Sequence, residues 1–215
     1  ALRRKVKAHY EKNGLEVEDT MVASGTSGGL LLSFLTILNP GDGAMFTDPY
    51  FVMYKQLINL IGAVPQFIDS YPDFRLTREK LEAAYTPASK LLILNSPNNP
   101  TGISYSEEEL RMAADFAEEK DLIVLSDEIY DAFSFDGEYV SPAKFTNPER
   151  TLIVSGLSKT LAMTGWRLGW VAGSKEAIKR MSDIQQYTFV CAPSFAQSAA
   201  LDALDYDTSE INEEY

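Results

Sequence analysis

At 215 residues and 45% hydrophobic, the chain is long enough for a sizeable core, and its formal charge of 19 − 31 = −12 disfavours nucleic acid and anionic membrane as partners. A single cysteine, Cys191, excludes an internal disulfide and a cysteine-based metal cluster, while a single histidine, His9, leaves little material for Ser-His-Asp catalysis or a zinc site, so no metal is expected. No run is long and apolar enough to cross a bilayer and no signal segment opens the chain, so a cytoplasmic location is expected.

The chain opens on a segment rich in basic residues (Arg3, Arg4, Lys5, Lys7) that reads as a helix carrying His9 without a nearby partner. Short apolar, β-branched runs then mark buried strands at 21–24, 44–47, 63–68, 90–95, 122–126, 151–155 and 168–173. Helical segments separate most of them. The helix from Ser106 has a capping box with Glu109 and an apolar face of Leu110, Ala113, Ala114 and Ala117, which makes a βαβ unit with the strands on either side. Repetition of that unit predicts an α/β fold of one domain, a three-layer α/β/α sandwich around a mostly parallel sheet, with ligands at the carboxyl ends of strands. Cys191, in TFVCAPS, reads as core packing. The acidic end (Asp205, Asp207, Glu210, Glu213, Glu214) reads as a solvated tail or helix face.

The motifs fall where such a sheet holds ligands. SGTSGG (24–29) follows the first strand and opens a helix, so the N–H groups of Thr26 and Ser27, the Ser27 hydroxyl and the positive helix end can hold a phosphate. Taken alone, such a turn is more often only a tight turn, and it matches neither the dinucleotide fingerprint nor the phosphate loop. DPYFVMY (48–54) offers Phe51 as a flat face for a stacked ring, or as ordinary aromatic core. NSPNNPTG (95–102) can aim Asn99 inward as a donor or form a simple Asn-Pro turn. In SDEIY (126–130), Asp127 leaves a strand end with Tyr130 one turn on, and a carboxylate there can keep a pyridine nitrogen protonated or cap a helix. SGLSKTLAMTGWRLGW (155–170) sets Lys159 just after a strand and Arg167 eight positions downstream. An amine in a shielded pocket forms a Schiff base with an aldehyde, and an arginine fork pairs with phosphate oxygens, which together suit pyridoxal phosphate.

The order and spacing of these motifs, which span nearly the whole chain, resemble the class I and II aminotransferases of the fold type I pyridoxal phosphate enzymes. The resemblance implies that Lys159 is the Schiff-base lysine and proton shuttle, that Asp127 pairs with the pyridine nitrogen, and that Tyr130 and Asn99 bond the phenolic oxygen. Phe51 then stacks on the ring. Thr26, Ser27, Ser158 and Arg167 match the phosphate-binding positions. The implied reaction is ping-pong transamination between an L-amino acid and a 2-oxo acid. The amino donor stays open among aspartate, alanine and aromatic amino acids.

Two departures from the family pattern matter. Many members carry a serine three positions before the lysine; here that position is Gly156, so one phosphate hydrogen bond is either missing or supplied by Ser155. Members also run to roughly twice this length, more than one domain of this size. An N-terminal arm, a phosphate-binding tyrosine from the neighbouring subunit, and a small domain with the arginine that clamps the substrate carboxylate have no counterpart in 1–215. The resemblance therefore implies the large domain of a longer homodimeric enzyme, and the isolated piece is expected to transaminate poorly. Other enzymes on the same cofactor (C–S lyases, cyclic amino acid synthases, decarboxylases) and a non-catalytic module share these positions.

Overall fold

Strands β1 (Asp19–Ser24), β2 (Gly43–Asp48), β3 (Val64–Asp69), β4 (Ser89–Asn95), β5 (Ile123–Asp127), β6 (Thr151–Gly156) and β7 (Leu168–Gly173) form one sheet in the computed structural model, which describes residues 1–135 and 137–205. All seven lie within two residues of the runs expected from the sequence. Their order is β1-β7-β6-β5-β4-β2-β3. Only β7 runs against its neighbours; β6, β5, β4, β2 and β3 pair in parallel. The start of β7 therefore lies at the edge where the other strands end.

Helices α1 (Leu2–Lys12), α2 (Gly25–Ile37), α3 (Met53–Leu60), α4 (Arg78–Ala84), α5 (Glu107–Glu119), α6 (Lys175–Gln185) and α7 (Ser194–Ala203) cover both faces. Alternation along the strands sorts the core. Leu91, Ile93, Leu125, Leu152, Val154 and Val171 pack with Leu30 and Phe34 of α2, Tyr54 of α3 and Ile178 of α6. Leu92, Leu94 and Val124 pack with α4 and α5 on the other face, where Ile153 and Trp170 pack with α1 and α7. Burial on both faces is why the central strands read as continuous apolar runs. The expected capping box is present: the Glu109 N–H donates to Ser106 Oγ (3.2 Å) and the Ser106 N–H to the Glu109 carboxylate (2.7 Å). The Leu76 N–H also donates to Glu109, at 3.0 Å, which ties the loop before α4 to α5.

The structure differs from expectation at the margins. The β5–β6 connection carries three short 3₁₀ turns (Asp131–Phe133, Pro142–Lys144, Pro148–Arg150) instead of an α-helix. Cys191 is exposed, not packed: Val190 turns the chain with φ 63°, and Ala192 takes the core position. His9 does have a neighbour, with its Nε2 3.4 Å from Asn13 Nδ2. Three residues of the basic cluster are spent within the chain, Arg3 on Asp19 (2.8 Å), Lys5 on Asp205 (2.5 Å) and Lys7 on Glu11 (3.6 Å). Asp207, Glu210, Glu213 and Glu214 lie outside the described residues. No helix of the described residues is long and apolar enough to cross a membrane.

Candidate active site

Three parallel strands end side by side, with Asn95 of β4 opposite Asp127 of β5 and Asp127 opposite Val154 of β6. Asp127 points to the α2–α3 face, where Tyr54 donates its hydroxyl proton to Oδ2 at 2.6 Å. The carboxyl is 3% exposed, and no cation pairs with it among the described residues. Burial pushes it up to about 6 against the pull of that hydrogen bond. Tyr54, also buried, is pushed well above the ordinary phenol value. Asn95 locks this corner by spending both ends of its amide. Its Nδ2 donates to the Asp127 carbonyl (3.0 Å), and its Oδ1 accepts from the Asn99 N–H (2.9 Å).

From that corner the chain carries four of the expected residues, Asn99, Tyr130, Ser158 and Lys159, into one cleft of about 530 Å³ lined also by Pro97 and Phe133, whereas Asp127 and Phe51 are not part of its lining. Asn99 Nδ2 donates to the Tyr130 hydroxyl at 3.2 Å. Lys159 Nζ stands 5.6 Å from the centre of the Tyr130 ring, close enough for a cation–π contact. The lysine is exposed where a shielded amine was expected, because it leaves the rim of the sheet just past β6 and reaches across the Tyr130 ring. Phe51 is half-buried against the core, edge-on to Tyr54 at 5.6 Å.

Thr26, Ser27 and Arg167 form a second group outside that cleft's lining, at the start of α2. Gly25 opens the helix at φ +70°, and a Cβ there would stand 2.4 Å from Arg167 Nη2, so the guanidinium occupies the space a side chain would take. Arg167 itself holds a left-handed conformation (φ 53°), and its Nη1 donates to the Thr164 carbonyl at 2.8 Å. A Cβ on Gly169 would meet the Thr26 nitrogen at 2.5 Å, and one on Gly156 would meet Gly169 Cα at 2.9 Å. Backbone thus stacks on backbone from β6 through β7 to the first turn of α2. Ser24, the residue before α2, places no side-chain cap on the helix, which leaves its first-turn N–H groups free of a side-chain acceptor.

The unspent groups define what would fit. Ser158 Oγ is buried with no hydrogen-bond partner among the described residues. With the uncapped helix start and the arginine over Gly25, it suits a phosphate-like anion. The lone Asp127 carboxyl suits a cation. Ser155 does not supply the bond that Gly156 lacks, because alternation turns it to the opposite face, where its Oγ donates to the Glu128 carbonyl at 3.2 Å. Tyr54 and Asn95 were not singled out in sequence, although both lie inside motifs that were. Their roles rest on cross-strand distances.

Comparison with known proteins bears on what this arrangement is. The family model described as aminotransferase class I and II matches residues 1–214. A probable aspartate/prephenate aminotransferase of Thermus aquaticus is 40% identical over 208 residues, covering 94% of this chain and 54% of that protein. A probable aspartate aminotransferase of Methanocaldococcus jannaschii is 38% identical over 209 residues, covering 94% of this chain and 55% of that protein. A tetra mutant of Thermus thermophilus aspartate aminotransferase superposes with a TM-score of 0.94 at 37% identity, covering 99% of this chain and 60% of that one. The chain spans about half the length of the curated relatives it matches.

Two outcomes are expected. Gly156→Ser should destabilise the fold by about 1–3 kcal/mol, as overpacking does, without tightening anion binding; denaturant unfolding and a phosphate titration check this, and a stable variant that binds phosphate more tightly contradicts it. The second concerns pH. Burial raises Asp127 to about 6, Glu128 to about 7 and Asp131 to about 6, so the folded chain holds more protons than the unfolded one, and stability falls as pH rises through this window. For Asp127, the shift from 3.8 to about 6 costs the fold about 3 kcal/mol above neutrality. The protein free of ligand should therefore melt higher at about pH 5.5 than at about pH 8, and Asp127→Asn should flatten the slope. A melting temperature that drops on this acidification contradicts the reading.

Proposed function

The chain belongs to the class I and II aminotransferases, and we propose that it is the pyridoxal phosphate-binding large domain of an enzyme that moves an amino group between an L-amino acid and a 2-oxo acid. The observation that carries this reading is the unpaired Asp127 carboxyl at the strand end beside a cleft that holds Lys159, Tyr130 and Asn99. In this role Lys159 would hold the cofactor through its amine. Thr26, Ser27, Ser158 and Arg167 hold its phosphate, Asn99 and Tyr130 bind its phenolic oxygen, and Phe51 presents a flat face to its ring. When bound, pyridoxal phosphate supplies an electron sink for the bond broken at the substrate Cα.

The chain's own residues do the rest. Asp127, with Tyr54 fixing one oxygen, would keep the ring nitrogen protonated, because the attraction of opposite charges in contact offsets the desolvation each meets alone. Asn99 holds the Tyr130 hydroxyl in place at 3.2 Å. Lys159 Nζ, as a free amine, would take the proton from the substrate Cα and act in turn as the acid that gives it back. A homodimer fits the exposed apolar pair Trp166 and Phe195, whose ring centres lie 6.1 Å apart. A cytoplasmic location goes with the single, exposed cysteine.

In the full-length enzyme, Lys159→Ala should abolish the visible absorbance band formed with pyridoxal phosphate and lower kcat/KM by at least about 10³-fold, roughly 4 kcal/mol of barrier. Retention of band and turnover would move the Schiff base elsewhere. Incubation of wild-type enzyme with an amino acid and 2-oxoglutarate should give glutamate. Release of ammonia or pyruvate with 2-oxoglutarate untouched would make the enzyme a lyase.

A further inference from the structure

Glu128 follows Asp127 in the chain but points to the opposite face of the sheet, and the reaction above makes no use of it. It is 2% exposed, and no cation pairs with it among the described residues. Its Oε1 accepts two hydroxyl protons, from Ser126 Oγ at 2.7 Å and from Ser141 Oγ at 2.5 Å. Ser141 Oγ in turn accepts from the Ala143 N–H at 3.1 Å, so its own proton is committed to Glu128. The Glu128 backbone is held as firmly. Its N–H donates to the Val154 carbonyl (2.9 Å), and its carbonyl accepts from the Asp131 N–H (3.2 Å) and from Ser155 Oγ (3.2 Å).

A buried carboxyl without a cation is costly, and an apolar residue would fill the same space more cheaply. What the carboxyl adds is a link between distant parts of the chain. Between residues 128 and 141 the chain leaves the sheet, makes one 3₁₀ turn at Asp131–Phe133 and returns with no strand pairing among its described residues. Tyr130 and Phe133, both in that stretch, form one wall of the Lys159 cleft. A loop with so little structure of its own takes its path from how its ends are tied.

We propose that Glu128 is a positioning residue: its carboxyl, with the Ser141 hydroxyl, clasps the 128–141 loop shut and so holds the Tyr130 hydroxyl on Asn99, beside Lys159. The clasp's effect on cofactor binding rests on the functional reading above; the clasp itself does not. A neutral amide oxygen accepts the same two hydroxyl protons, so Glu128→Gln keeps the clasp, whereas Glu128→Ala and Ser141→Ala each open it.

The test is hydrogen exchange of the amides in the loop, measured on cofactor-free full-length protein, beside the dissociation constant for pyridoxal phosphate read by absorbance. Glu128→Ala and Ser141→Ala should each speed exchange across residues 129–135 by about tenfold or more and weaken cofactor binding by a similar factor. The double variant should be no worse than Glu128→Ala, because both changes remove one shared interaction, and Glu128→Gln should stay within about twofold of wild type. If Glu128→Ala fails to fold, Ser141→Ala still decides the matter, since it breaks the same bond without emptying the buried site. Unchanged exchange in the loop, faster exchange spread over β4 to β6, or fully additive losses would overturn the proposal. Wild-type protein that binds no pyridoxal phosphate would sink the functional reading instead, and loop exchange would then judge the clasp alone.

Discussion

The hydrogen bond from Tyr54 to Asp127 joins a helix to the end of a central strand, and the carboxyl it holds is charged, buried and without a cation among the described residues. Water would solvate such a group far better than this pocket does, which is why its proton affinity rises. The neighbouring parts of the site are arranged around it. Asn95 fixes the backbone behind it, Asn99 follows from Asn95, and Tyr130 is held by Asn99. A cation placed against Asp127 would offset the cost of burying its carboxylate, so a bound cation would stabilise the fold that this burial weakens when empty.

At the other end of the site the constraint is steric. Gly156, Gly169 and Gly25 let β6, β7 and the first turn of α2 approach more closely than side chains would permit, and the guanidinium of Arg167 fills the last gap. Arg167 reaches that place only in a left-handed conformation, which costs a non-glycine residue about 1 kcal/mol. One group of residues thus presents anion binders and the other an unpaired carboxylate. Lys159 stands in the cleft with Asn99 and Tyr130.

Much of this was legible in the sequence, for reasons that can be named. Short apolar runs marked every strand, the central ones being buried on both faces, and the Ser106–Glu109 box marked the start of α5, because both signals are local. Lys159, Asn99 and Tyr130 were singled out through motif order, and they line one cleft. Tyr54 was hidden inside an aromatic run that reads as core, since only the fold sets its distance to Asp127. Ser155 was offered as a substitute donor although alternation along β6 alone separates its face from that of Gly156. Cys191 was read as core from its apolar neighbours, and the positive φ of Val190, which turns it outward, leaves no trace in composition.

The central claim is that Asp127 is a carboxylate waiting for a cation. Its titration can be followed directly by carbon NMR of the labelled carboxyl in the full-length protein. Without cofactor its pKa should lie about two units above an ordinary aspartate, and with pyridoxal phosphate bound it should fall below the ordinary value. A carboxyl that titrates at the same pH in both states would contradict the account.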